Sequence, residues 1–197
     1  MPPGGDPARG LADAAYAALN TVEFPGYGFM LENGAVALWE HLNTLWDSTS
    51  RNHAWYGSVS VFLRRVVGGI GPAPGSRGFD KVLIKPIPQR LAATPRWANT
   101  TYDSARGTIS TRWILAGDAA TGVPVTFSLS LQMPANVDTT VELPLAAPVE
   151  PGGGRGGGAA RFTSSCALLP PQLDSGAGVA RWGFAGVTSC NFLAVWE

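Results

Sequence analysis

The chain has 197 residues, of which 45% are hydrophobic and 14% charged, a balance that excludes a disordered segment and allows one large domain or two small ones. Its 14 basic and 14 acidic residues cancel, so no basic stripe exists to neutralise phosphates, which argues against nucleic acid as a partner. No run approaches the roughly 20 apolar residues that cross a bilayer, and the opening MPPGGDPARG holds no apolar leader core, so no membrane span or export signal is visible.

Apolar residues first recur at helical spacing. Gly10 to Leu19 reads as a helix, and Pro25-Gly26 as a turn. Ala35 to Leu45 is expected to be helical, with Leu38, Leu42 and Leu45 on one face and Trp39 and Trp46 beside them. Asn52 to Val67 is the clearest helix: Trp55, Val59, Phe62 and Val66 form a stripe, Ser50 or Asn52 can cap its start, and Gly68-Gly69 ends it.

Beyond Gly68 the period changes to two. Lys81 to Ile87 reads as a strand that Pro86 and Pro88 confine to an edge or terminal place. Thr108 to Leu115 is the next strand. In Val123 to Met133 the odd residues from Val125 are apolar and the even ones polar, the mark of one buried and one wet face. Strands follow at Thr139 to Leu143, Arg161 to Leu168, Val179 to Phe184 and Asn191 to Trp196, with a Gly-rich loop at 151–158 between them. Seven or so short strands predict an antiparallel sandwich. Cys166 and Cys190 fit no zinc spacing. They allow one disulfide at most, and buried free thiols are the simpler expectation.

Chemistry concentrates between Phe24 and Gly57, which holds both histidines (His41 and His53), the acids Glu32, Glu40 and Asp47, and three of the seven Trp residues. Glu40 follows Trp39 in an apolar run, where a carboxylate near a hydrophobic surface can take a proton from water; an ordinary solvent-facing glutamate is the plain alternative. His53 at a helix start can be a capping or packing residue. His41 and His53 have no matched third ligand, so no metal site is expected. No nucleophile elbow or phosphate loop is present, and no cofactor is implied.

At these residues the chain resembles a known family. PGYGFMLENGAVALWE is similar to the segment of bacterial-type α-L-rhamnosidases that leads through Gly-Ala-Thr-Thr to Trp-Glu, and NHAWYGSVSVFLRRVVGGI to the Asn-His helix that follows it. GFDKVLIKPIP, ARGTISTRW and LSLQMPANVDTTVELP resemble strands of that family's C-terminal sandwich. The resemblance implies an α+β chain: at 1–71 the terminal helices of an incomplete six-hairpin (α/α)6 barrel, and at 72–197 an antiparallel β-sandwich. It implies an inverting glycoside hydrolase removing terminal α-L-rhamnose, with a rhamnosylated glycoside or polysaccharide as partner. By position, Glu40 would be the general base and His53 a substrate contact; Trp39, Trp55 and Trp46 are candidate sugar platforms by residue type alone, with core packing the better expectation for at least one of them.

Inversion needs a second carboxyl group about 6.5–9.5 Å from the first. The family's acid lies in an earlier barrel segment that nothing here matches, and Glu32 is the one local candidate. The chain is therefore expected to be a C-terminal fragment, inactive without an N-terminal barrel portion. A non-catalytic carbohydrate-binding or structural sandwich protein is the alternative, and a six-hairpin glycosidase for another deoxy or acidic sugar a third. The family's Thr-Thr is Val36-Ala37 here, and the link from Glu40 to Asn52 is short. A helix running on to Asp47 would carry the chain about 10 Å from Glu40, whereas one ending near Asn43 lets His53 return.

Overall fold

The computed structural model describes residues 7–42, 49–88, 95–118, 123–144, 160–166, 171–175 and 179–196. The expected sugar platform Trp46, the end of the helix drawn to Leu45, the Gly-rich loop at 151–158 and the strand end at Leu168 lie outside them. The chain forms two compact units, Met1–Phe62 with Leu91–Thr94, and Leu63–Arg90 with Pro95–Glu197.

In the first unit, helix α1 (Pro7–Asn20) extends the expected span by a few residues. It buries Ala12 and Tyr16, and the Tyr16 ring meets Phe62 edge-on at 5.3 Å. A short helix α2 (Tyr27–Glu32) follows the Pro25-Gly26 turn and was not expected from the sequence. Its glycine-rich start allows it: Gly28 packs against the Thr21 carbonyl, which also accepts the Phe29 amide at 3.0 Å. The helix stops at Asn33 and Gly34, the latter at φ 81°.

Two helix expectations are corrected here. Residues 35–42 are bends, not a helix. Their backbone groups bond across to a later segment: the Glu40 amide donates to the Ser50 carbonyl at 2.9 Å, and the His53 amide to the Leu38 carbonyl at 2.7 Å. Long-range pairing has won over local propensity. The run Asn52 to Val67 is also not one regular helix. It is a 3₁₀ turn (Trp55–Ser58), one α-turn, α3 (Val59–Phe62), and a π turn (Leu63–Val67) closed by Gly68 N–H to the Leu63 carbonyl at 2.8 Å. Its N-cap is Ala54, with no side-chain cap, so neither Ser50 nor Asn52 fills that role.

Among its described residues the second unit holds ten strands: β1 (Ile70–Pro72), β2 (Lys81–Ile84), β3 (Trp97–Ser104), β4 (Gly107–Asp118), β5 (Val123–Gln132), β6 (Asp138–Pro144), β7 (Arg161–Ser164), β8 (Gln172–Asp174), β9 (Val179–Ala185) and β10 (Ser189–Trp196). They form two five-stranded sheets, ordered β1-β2-β6-β9-β8 and β3-β4-β5-β10-β7. The β5 alternation is as read: Val125, Phe127, Leu129, Leu131 and Met133 are buried, and Ser128, Ser130 and Gln132 exposed. Against them lie Ile84, Val141, Leu143 and Trp182 from the other sheet, with Trp182 meeting Phe192 at 5.1 Å. The result is a sandwich core.

β2 departs from its expected edge position, since it lies between β1 and β6 and pairs with β6 in parallel. The strand ends at Ile84, before the prolines. The amides of Lys85 and Ile87 then donate to Gly69 and Val66, while Pro86 and Pro88 occupy the alternate positions, where no donor is needed. The junction into this unit is tied to the core by two buried bonds. Trp113 Nε1 donates to the Val67 carbonyl and Thr111 Oγ1 to the Gly68 carbonyl, both at 2.7 Å. Gly69, at φ 76°, turns the chain where a side chain would strike Pro86.

Cys166 and Cys190 form a disulfide, with Cα atoms 5.4 Å apart, so the expectation of free thiols is overturned. β10 pairs with β7 through Phe192 and Ser164, which brings the two cysteines just past that pair together.

Candidate functional site

The four residues singled out by sequence sit on two short segments of the first unit, 38–40 and 50–55. Those segments are held as a bracket by the two backbone bonds given above, Leu38 with His53 and Glu40 with Ser50. The bracket replaces the helix that would have carried the chain away from Glu40.

Glu40 is half-buried, and its Oε2 accepts the Ser50 amide at 3.0 Å. The same two residues thus exchange a backbone bond and a side-chain bond, which fixes the carboxylate at one oxygen and leaves the other for a further donor. Ser50 is itself held by a local turn: its Oγ donates to the Asn52 carbonyl at 3.0 Å and lies 3.2 Å from the Asn52 amide. Sequence reasoning offered Ser50 and Asn52 as caps and missed this role. The Ser-x-Asn spacing that marks such turns was the available signal.

His53 carries the facing segment, and both ring nitrogens lie near donors of Trp55. The indole Nε1 is 2.8 Å from Nε2, and the main-chain amide 3.2 Å from Nδ1. The Trp55 side chain reaches outward, 72% exposed, with its ring tilted 41° to the imidazole.

Trp39 is different. It is only 4% exposed, and the Arg51 guanidinium lies 5.2 Å from its ring centroid. This contact ties the two segments together a third time. Close by in the chain, Tyr27 Oη donates to the Tyr56 carbonyl at 3.0 Å and their rings meet edge-on, anchoring α2 to the 3₁₀ turn. Glu32 is exposed at the end of α2. Among the described residues, no group of three His, Cys, Asp or Glu side chains comes together as a metal site.

Chemically, the bracket offers a carboxylate held by an amide, an imidazole beside the Trp55 indole and amide, and an exposed indole. These can accept a proton, hydrogen-bond a hydroxyl and cover an apolar ring face.

Comparison with known proteins gives two family matches in order along the chain. Residues 8–67 match the bacterial alpha-L-rhamnosidase 6 hairpin glycosidase domain, and residues 69–158 the bacterial alpha-L-rhamnosidase C-terminal domain. An alpha-L-rhamnosidase of Streptomyces avermitilis is 31% identical over 147 residues, covering 68% of this chain and 13% of that protein. One from an Alteromonas species is 26% identical over 136 residues, covering 65% of this chain and 14% of that protein. The chain thus spans about one seventh of the length of these relatives. Among solved structures, the Streptomyces avermitilis enzyme, crystallised with L-rhamnose, superposes with a TM-score of 0.69 at 26% identity, over 92% of this chain and 16% of that one. An alpha-L-rhamnosidase from Dictyoglumus thermophilum shares the fold, with a TM-score of 0.70 at 22% identity over 91% and 18% of the two chains.

Proposed function

Since the chain belongs with the C-terminal part of the bacterial-type α-L-rhamnosidases, the end of the barrel domain and the sandwich after it, we propose that it works as that part of an inverting glycoside hydrolase releasing terminal α-L-rhamnose. Glu40 is the general base in this reading. It accepts a proton from the water that attacks the anomeric carbon, opposite the leaving group. His53 hydrogen-bonds a sugar hydroxyl, and Trp55 offers its exposed face to the pyranose ring. Trp39, buried and covered by Arg51, is a packing residue of the bracket and not a sugar platform.

One observation carries the reading: the backbone bonds of Leu38 with His53 and Glu40 with Ser50, which bring two separate motifs onto one bracket and orient the carboxylate. The general acid comes from barrel sequence outside the segments matched here, and the boundary between barrel and sandwich falls close to Gly68. Taken alone, the 197 residues supply a base without an acid. They are expected to leave aryl α-L-rhamnosides uncleaved.

The test uses a protein that joins this chain to a rhamnosidase barrel. Proton NMR of the first-released sugar should show the β anomer of rhamnose; initial release of the α anomer contradicts inversion. Replacing His53 with Ala should raise KM for an aryl α-L-rhamnoside at least tenfold with a smaller change in kcat. An unchanged KM removes His53 from the site.

A further inference from the structure

The His53 ring is occupied in a way that a sugar contact does not allow. Both of its nitrogens face N–H groups of one residue: the Trp55 main-chain amide stands 3.2 Å from Nδ1, and the indole Nε1 2.8 Å from Nε2. An amide and an indole N–H can only donate, and a neutral imidazole accepts at a single nitrogen. Whichever nitrogen accepts, the other is covered, and none is left for a sugar hydroxyl.

The two contacts differ in what holds them. The amide belongs to the first residue of the 3₁₀ turn (Trp55–Ser58). That backbone is fixed by the Gly57 amide donating to the Ala54 carbonyl at 2.9 Å and by the Tyr27 hydroxyl donating to the Tyr56 carbonyl at 3.0 Å. An amide that opens such a turn has no partner inside it, so its place beside Nδ1 is part of the local fold. The indole is placed by its side chain alone. It is mostly exposed, with its ring tilted to the imidazole and not stacked flat on it. Rotation between staggered side-chain conformers takes it off Nε2, and an exposed side chain makes such a change within nanoseconds. Nε2 is therefore the nitrogen that can be uncovered, and the Trp55 indole is the group that uncovers it.

We propose that Trp55 is a gate on His53. In the sugar-free protein the indole N–H holds Nε2. When a rhamnosyl unit enters, one of its hydroxyls takes Nε2 and the indole swings away to lie against the sugar ring. The indole thus competes with the hydroxyl for one nitrogen, and each binding event breaks its hydrogen bond. The inference rests on the reading of His53 as a sugar contact and supplies the way in which that ring becomes free. Its sign is distinctive: loss of a packing or stacking group raises KM, whereas loss of a competitor lowers it.

Two measurements test the gate. In proton–nitrogen correlation spectra of the 197-residue chain, the Trp55 indole resonance, identified by its loss in Trp55→Phe, should move in His53→Ala. An unmoved resonance overturns the proposal. In this chain joined to a rhamnosidase barrel, 3-benzothienylalanine in place of Trp55 keeps the shape and the aromatic face and lacks the N–H. KM for an aryl α-L-rhamnoside should then fall by about two- to tenfold, the worth of one hydrogen bond between neutral groups. An unchanged or raised KM overturns the gate. His53→Ala separates that failure from failure of the reading beneath it. If His53→Ala raises KM while the indole analogue does not lower it, the gate falls and the sugar contact stands; if His53→Ala leaves KM unchanged, both fall.

Discussion

At the scale of single residues, Glu142 and Tyr16 show how burial sets charge. Glu142 lies on β6 between two cations: its Oε1 takes Arg181 Nε at 2.8 Å and Nη2 at 2.7 Å, and its Oε2 faces Lys85 Nζ at 3.0 Å. Burial pushes its carboxyl up, but the hydrogen bonds and charges of Lys85 and Arg181 outweigh that and hold it below the ordinary glutamate value. A depressed folded-state value means its stabilising contribution is full above the unfolded-state pKa of about 4.3 and is lost as pH falls through the folded one. Glu142→Gln should therefore cost about 1.5–3 kcal/mol at neutral pH, the worth of hydrogen bonds to charged groups. The difference from wild type should shrink on acidification below about pH 4. Urea unfolding at several pH values checks both, and a constant difference would show that the ion pairs contribute nothing.

Tyr16 presents the opposite case. Its hydroxyl is buried without a hydrogen-bond partner among the described residues, and burial, with the charge of Asp13 adding to it, pushes the phenol up to about 12. The folded protein keeps a proton that the unfolded chain gives up, so stability should fall with rising pH between 10 and about 12. Tyr16→Phe should remove that alkaline loss and leave the neutral-pH melting temperature unchanged or higher. A melting temperature lowered by several degrees would mean that the hydroxyl has a partner after all. Neither behaviour was legible in the sequence, where Glu142 reads as one polar position in a strand and Tyr16 as one aromatic in an alanine-rich helix.

At the scale of elements, legibility followed periodicity. β5 declared itself by strict alternation. β3 did not, because its sequence WANTTYDS is polar on one face and small or hydroxyl-bearing on much of the other. β1 and β8 are three residues each, too short to carry a pattern. The failure at 35–42 was of another kind: the helical pattern is present, but bonds to Ser50 and His53 took its backbone groups. The cysteines were likewise undecidable from spacing, since strand register alone brings residues 166 and 190 together. Closing a loop of that separation should contribute about 2–4 kcal/mol. Reduction, or Cys166→Ser with Cys190→Ser, should lower the urea midpoint accordingly. A midpoint unmoved by dithiothreitol would contradict it.

At the scale of the whole molecule, the order of motifs made the family visible. Pro-Gly-Tyr, Trp-Glu, Asn-His and Pro-Ala-Asn each occur by chance in many chains, but their sequence order does not, and the two family matches cover them in that order. The path that lays the segment of Glu40 beside that of His53 was not legible, because it depends on long-range backbone bonds and not on any local propensity. Apolar side chains left exposed in the first unit, among them Leu11, Leu31 and Val36, fit the proposal that further barrel helices cover them in a working enzyme.

The most direct test of the account is turnover of an aryl α-L-rhamnoside by this chain joined to a rhamnosidase barrel, with Glu40 intact and with Glu40→Gln. The account predicts a fall in kcat of about 10²–10⁴-fold, the range for loss of a general base, with an unaltered circular dichroism spectrum. A folded Glu40→Gln enzyme turning over at close to the wild-type rate would contradict it.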